Sequence, residues 1–196
     1  TGVRVLYVSP LKALGVDVEN NLRAPLLGIG RTGECLGQPV PEVRVGVRSG
    51  DTTSAERSRQ VRQPPDILIT TPESLYLMLT SKAGDILADV DTVIIDEIHA
   101  IAGTKRGAHL ALSLERLERI TTTPPQRIGL SATVRPLERV AEFLGGNREV
   151  RIINPPAEKK WALDVRVPVE DMSDLPTPEI GSTIGDAVID DPLGLS

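Results

Sequence analysis

Short runs rich in β-branched residues alternate with amphipathic stretches along this chain, and that alternation constrains its fold more than any other feature. Val3–Val8, Val43–Val47, Asp66–Thr70, Thr92–Ile95 and Arg127–Leu130 read as strands. Between and after them, Leu11–Leu27, Ser54–Arg62, Pro72–Thr80, Ala108–Arg119 and Leu137–Leu144 read as helices. In the first helix Leu14, Val18, Leu22 and Leu26 recur every fourth residue, and Pro25 is expected to kink it or end it early. Thr71 is placed to cap the third helix with Pro72 at its first position, and Gly145-Gly146 to close the last. The stretch Gly28–Pro41, rich in Gly and Pro, reads as a loop. Strand–helix repetition of this kind predicts an α/β fold, a parallel sheet flanked by helices on both faces.

A chain of 196 residues allows one domain of common size plus a remainder. Residues 1–146 form the expected domain, 147–160 a linker around Asn154-Pro155-Pro156, and 161–196 the start of a second domain. Val150–Ile153 is expected to add one more strand and Trp161–Val167 to open the second unit; the Pro-, Gly- and Asp-rich remainder from Asp171 has the composition of a mobile tail. No apolar run approaches the ~20 residues that span a bilayer. The lone Cys35 can form no internal disulfide and suits a reducing cytoplasm, no signal peptide is visible, and no membrane partner is expected. The net charge of −5 is unevenly spread: residues 171–196 hold six acids and no Lys or Arg, leaving +1 on residues 1–170, and residues 1–65 carry +3. Such a surface is compatible with phosphate binding and does not establish it.

Four segments follow predicted strands, at the edge where open α/β sheets place ligands. They are Ser9-Pro10-Leu11-Lys12-Ala13-Leu14, Thr70-Thr71-Pro72-Glu73-Ser74-Leu75, Asp96-Glu97-Ile98-His99 and Ser131-Ala132-Thr133. The first two put hydroxyls and free N–H groups at helix starts, a seat for phosphate, although Pro in a first turn is by itself more often plain helix chemistry. The third ends the apolar run Val93-Ile94-Ile95 with two carboxylates. An Asp-Glu pair alone is more often a solvated turn. In a nucleoside triphosphatase the first acid would hold Mg²⁺, usually through water, and the second would orient or deprotonate the attacking water.

In order and spacing the four segments resemble motifs Ia, Ib, II (Walker B) and III of the first RecA-like domain in superfamily 2 DEAD/DEAH-type ATP-dependent helicases. The wording between them, LKALGVDVENNLRAPL, Arg48–Thr52, AGTKRGAHLALSLERL and RPLERVAEFLGG, is similar to the large helicase-related (Lhr) branch over about residues 1–170. The resemblance implies a RecA-like lobe, ATP and Mg²⁺ as cofactors, and 3′-to-5′ translocation on single-stranded DNA or a DNA/RNA hybrid, with a second RecA-like domain of the same polypeptide as partner. It implies Asp96 as the Mg²⁺ residue, Glu97 as the activator of water, and His99 as the bridge to Ser131, Ala132 and Thr133, which couple nucleotide state to nucleic-acid grip. Ser9, Pro10, Lys12, Arg48, Gly50, Asp51, Thr52, Thr71, Pro72, Glu73 and Ser74 would face nucleic acid, as would Lys105 and Arg106, for which a solvated loop is an equal alternative.

No G-x-x-x-x-G-K-[ST] occurs in the sequence. The family carries that loop upstream of motif Ia and its arginine finger downstream of Ser196, so the chain is expected to be a fragment lacking its first strand and P-loop, inactive alone. The alternative is a non-catalytic nucleic-acid-binding or interaction module from a truncated gene. Another P-loop ATPase, such as a transporter subunit, is disfavoured by motifs Ia and Ib. Gly28-Ile29-Gly30-Arg31-Thr32-Gly33 matches G-x-G-x-x-G without the preceding strand a dinucleotide site needs. His99 and His109 lie at no metal-ligand spacing, His109 reading as a packing or surface residue, and Leu110, Leu112, Leu114 and Leu117 read as core.

Overall fold

A computed structural model describes residues 2–38, 40–132 and 135–154. The expectations for 161–196, and for the linker from Pro155, lie outside the described residues. Five strands, β1 (Val5–Val8), β2 (Val45–Arg48), β3 (Ile67–Thr70), β4 (Thr92–Ile95) and β5 (Gln126–Gly129), form one sheet in the order β2-β3-β1-β4-β5. Every pairing is parallel, with Tyr7 opposite both Ile69 and Ile94. Each crossover therefore carries a helix: α1 (Lys12–Cys35), α2 (Ser54–Arg62), α3 (Pro72–Leu79) and α5 (Lys105–Ile120), with the short α4 (Ile98–Ile101) just after β4 and α6 (Leu137–Gly145) after β5.

Strand period sorts the two faces. Leu6, Val8, Leu68, Val93 and Ile95 pack with Leu75 and Met78 of α3, Leu110, Leu114 and Leu117 of α5, and Leu144 of α6 in one buried cluster. Ile69 points the other way, onto α1, where a Cβ on Gly15 would lie 3.3 Å from its side chain. Helices thus cover both faces, as the alternation predicts.

Local chemistry places the helix starts. Thr53 and Glu56 form a reciprocal capping box on α2, Thr71 caps α3 ahead of Pro72, and Thr104 accepts the Gly107 N–H at 3.0 Å to open α5. That cap starts α5 three residues before the helix predicted from Ala108. On α5, Leu112 is exposed rather than core, because 110, 114 and 117 share a face that excludes it.

Two further expectations are corrected. α1 does not stop at Leu27; it continues through Pro25 and Gly28 to Cys35. Pro25 is exposed, so its ring leaves the packed side untouched, and Gly33 lets the chain fold back tightly: a Cβ there would meet the Gln38 carbonyl at 2.6 Å. The G-x-G-x-x-G stretch is therefore helix and carries no dinucleotide loop. Val150–Ile153 is not a strand; Val150 instead packs beside Gly145 against the core. The charged Arg127 on β5 is buried because Glu118 at 2.9 Å and Glu115 at 3.0 Å neutralise it, and Arg148 joins both acids from beyond α6.

Candidate functional site

Because all strands run one way, the residues after β1, β3, β4 and β5 emerge at a single sheet edge. Backbone hydrogen bonds stitch them together there: Ser9 N–H to the Thr70 carbonyl at 2.9 Å, Asp96 N–H to Val8 at 2.9 Å, Leu130 N–H to Ile95 at 2.9 Å, and Ile98 N–H to Leu130 at 3.0 Å. The four segments singled out in sequence are thus neighbours, although Thr133 lies outside the described residues.

The acidic turn is built tightly. Asp96 caps its own successor, its Oδ1 accepting the Glu97 N–H at 2.9 Å. Glu97 has φ 45° and ψ 40°, the only described non-glycine residue with positive φ. A left-handed backbone costs an L-residue about 1–2 kcal/mol, a strain that clusters at functional turns. It turns the chain straight from β4 into α4 and leaves both carboxylates half-buried at the edge. His99, on α4, reaches across to the next strand end: its Nδ1 accepts the Ala132 N–H at 3.3 Å and lies 3.3 Å from Ser131 Oγ and 3.3 Å from Glu97 Oε2. One ring nitrogen therefore touches the acidic turn and the Ser131-Ala132 segment together.

Two residues here escaped sequence reasoning. Tyr7 pairs with Ile94, two residues before Asp96, so both side chains share a sheet face; burial, then the Asp96 carboxylate, push its phenol above the usual range. The strand alternation of β1 carried that signal. Arg57 donates from Nη2 to the carbonyls of Ser49 and Gly50, both at 3.1 Å, and so holds the turn after β2. Only the return of α2 over that turn reveals it.

The residues expected to face phosphate divide into two groups. Ser9 and Pro10 are buried, the Ser9 hydroxyl donating to the Leu11 carbonyl at 3.1 Å. Thr71 and Ser74 are buried with their hydroxyls 3.2 Å apart, and Pro72 is buried beside them. These groups shape helix starts. Arg48, at the end of β2, is half-buried; burial and then the neighbouring Arg57 cation lower its pKa. Thr52 braces the adjoining turn, accepting the Ser49 N–H at 2.9 Å, while Gly50 and Asp51 are exposed. Lys12 opens α1 and Lys105, exposed, opens α5. Glu73 and Arg106 bind each other, and the Arg106 fork holds the Glu73 carboxyl down at about 2.

As a donor set the edge offers hard carboxylate oxygens and no thiolate. Among the described residues no group of three or more His, Cys, Asp or Glu is arranged to enclose a metal. The carboxylate oxygens of Asp96 and Glu97 are hard donors of the kind that, with substrate phosphates, would fit a Mg²⁺.

Residues 1–141 match the family model for the DEAD/DEAH box helicase. The chain belongs to the DEAD/DEAH box helicase family. It is 59% identical over 172 residues to the Lhr helicase/uracil glycosylase of Escherichia coli, covering 88% of this chain and 11% of that protein. It is 47% identical to the ATP-dependent helicase Lhr-Core of Methanocaldococcus jannaschii, over 93% of this chain and 22% of that one. The solved structure of the Mycobacterium smegmatis helicase Lhr bound to ssDNA and AMP-PNP superposes with a TM-score of 0.80 at 62% identity, covering 90% of this chain and 23% of that one. The chain thus spans under a quarter of these relatives. The sheet described above is the RecA-like lobe of this helicase family, and the resemblance to the Lhr branch holds. No helix among the described residues is long and apolar enough to cross a membrane.

Proposed function

We propose that this chain supplies the catalytic acids and part of the nucleic-acid grip of an ATP-dependent helicase that moves 3′ to 5′ along single-stranded DNA, and that it is inactive without the rest of the motor. What carries this reading is one arrangement: Asp96 and Glu97 end the strand beside motif Ia, and His99 joins them to Ser131 and Ala132. Bound Mg²⁺ would draw charge from the transferring phosphoryl group. Asp96 would hold it from its fixed place in the turn just after β4. Glu97, aimed by its left-handed backbone, orients the attacking water and accepts its proton. His99, in contact with Glu97 and motif III at once, relays the state of the acidic turn to the neighbouring strand end. Arg48, the Gly50–Thr52 turn and Lys12 take backbone phosphates, which gives sequence-indifferent, salt-dependent affinity, and the buried hydroxyls of Ser9, Thr71 and Ser74 set the helix starts that flank the strand.

ATP hydrolysis with and without single-stranded DNA, by this chain beside the natural-length protein that carries it, tests the reading. Expected is DNA-stimulated turnover in the natural-length protein only. No turnover in either would favour a non-catalytic binding module. Arg48→Ala is expected to weaken DNA binding and reduce the slope of log K against log salt by about one. An unchanged slope would exclude that phosphate contact.

A further inference from the structure

Arg106 lies in the first turn of α5, shortly after the acidic turn, yet all three of its guanidinium nitrogens donate elsewhere. Nε and Nη2 donate to the two carboxylate oxygens of Glu73 at 2.5 and 2.9 Å, and Nη1 donates to the Pro10 carbonyl at 2.7 Å. The three partners come from different strand ends: Pro10 from motif Ia after β1, Glu73 from motif Ib at the start of α3, and Arg106 from the element after motif II. A single planar fork therefore sets the spacing of the two segments proposed to face phosphate, and ties both to the helix that follows the Walker B turn. An ammonium could not satisfy that geometry, being a point donor on a flexible stem.

We infer that Arg106 is a positioning residue for the nucleic-acid grip, acting through Glu73 and Pro10 rather than by touching phosphate. The inference rests on the reading above that motifs Ia and Ib face nucleic acid. Glu73 supplies the second half of the argument. A carboxylate in the first turn of a phosphate-facing helix would repel the strand it is meant to hold. Arg106 pairs with both of its oxygens, so the fork cancels that repulsion while fixing the helix start, and the same pairing holds the carboxyl well below the usual range. The base of the fork is itself fixed. Gly107 presses α5 so closely on the Ile101 carbonyl that a Cβ would lie 2.1 Å from its oxygen. Movement of the acidic turn and α4 would thus reach motifs Ia and Ib through Arg106.

The test is affinity for a labelled oligo-dT strand, and the strand concentration for half-maximal ATPase activation, in the natural-length protein and its Arg106→Lys and Glu73→Gln variants. Arg106→Lys keeps the charge and loses the fork. Glu73→Gln removes a negative charge from the nucleic-acid edge. Both are expected to weaken strand binding about fivefold, with KM for ATP and melting temperature close to wild type. A direct phosphate contact predicts the opposite pair of results: near-wild-type binding for Arg106→Lys and tighter binding for Glu73→Gln. That outcome, or a loss that moves KM for ATP equally, would overturn the inference. If Arg106→Lys fails to fold, the sign of the Glu73→Gln effect decides alone. A wild-type protein that binds no strand would instead remove the underlying reading of this edge.

Discussion

Glu97→Gln is expected to abolish ATP turnover by the natural-length protein and to leave nucleotide binding near wild type. The substitution is nearly isosteric and keeps the left-handed backbone at φ 45°, whose cost is similar for Glu and Gln. The Asp96 carboxylate keeps its bond to the N–H of residue 97, so the acid proposed to hold Mg²⁺ stays in place. Only the negative charge and the basicity of the carboxylate are lost. Loss of a positioned general base slows the chemical step by about 10²- to 10⁴-fold. Single-turnover hydrolysis measured beside fluorescent-nucleotide affinity separates the two effects. Hydrolysis at the wild-type rate would remove Glu97 from the mechanism, and lost nucleotide affinity would give it a binding role instead.

Gly107→Ala is expected to destabilise the domain strongly, against the usual rule for helices. In an exposed helix interior Gly→Ala gains about 1 kcal/mol. Here the new Cβ would sit 2.1 Å from the Ile101 oxygen, 3.0 Å from its carbon and 3.3 Å from the Phe143 ring. The clash is with backbone, and that carbonyl is held in place: it accepts the Thr104 N–H at 3.0 Å and the Thr104 hydroxyl at 2.7 Å. Ile101 is itself 2% exposed, so it has nowhere to move. Overpacking of this kind costs about 3 kcal/mol, or about 6–12 °C in melting temperature. Gly28→Ala is the control of opposite sign. Gly28 lies inside α1 with nothing within 4 Å of its missing Cβ, so Ala should raise the melting temperature slightly. Thermal melts of the wild type and the two variants side by side check both signs. A stable Gly107→Ala would mean that α5 does not sit against Ile101 as described, and a destabilised Gly28→Ala would mean that α1 does not extend past Leu27.

The order of elements and the candidate site were legible because their signals are local. β4 spans Thr92–Ile95 as read, since four β-branched residues bounded by Asp91 and Asp96 admit little else. α3 begins at Pro72 behind Thr71 because capping is decided within four residues. The motif residues meet at one edge because a parallel sheet sends every strand end the same way. Boundaries set by packing were not legible. α1 runs through Pro25 and four glycines because its contacts with β2 and β3 outweigh their weak helix propensity, and no window of sequence contains those strands.

By itself, then, the sequence determined a parallel α/β lobe with its acids at a strand end and its helix starts at the same edge, for these follow from periodicities of two and 3.6 residues and from caps a few residues long. The tertiary structure decided which charged side chains reach out and which reach one another. Arg106 reads in sequence as a basic loop residue, yet its partners lie 33 and 96 residues away. Glu73 reads as part of a phosphate seat and is instead the acid that anchors this cation. Arg127 reads as a strand residue and is buried through a pair of acids on α5. The physical reason is the same each time: an ion pair forms where folding brings its members within a few ångströms, and the energy that places them comes from the apolar core beneath.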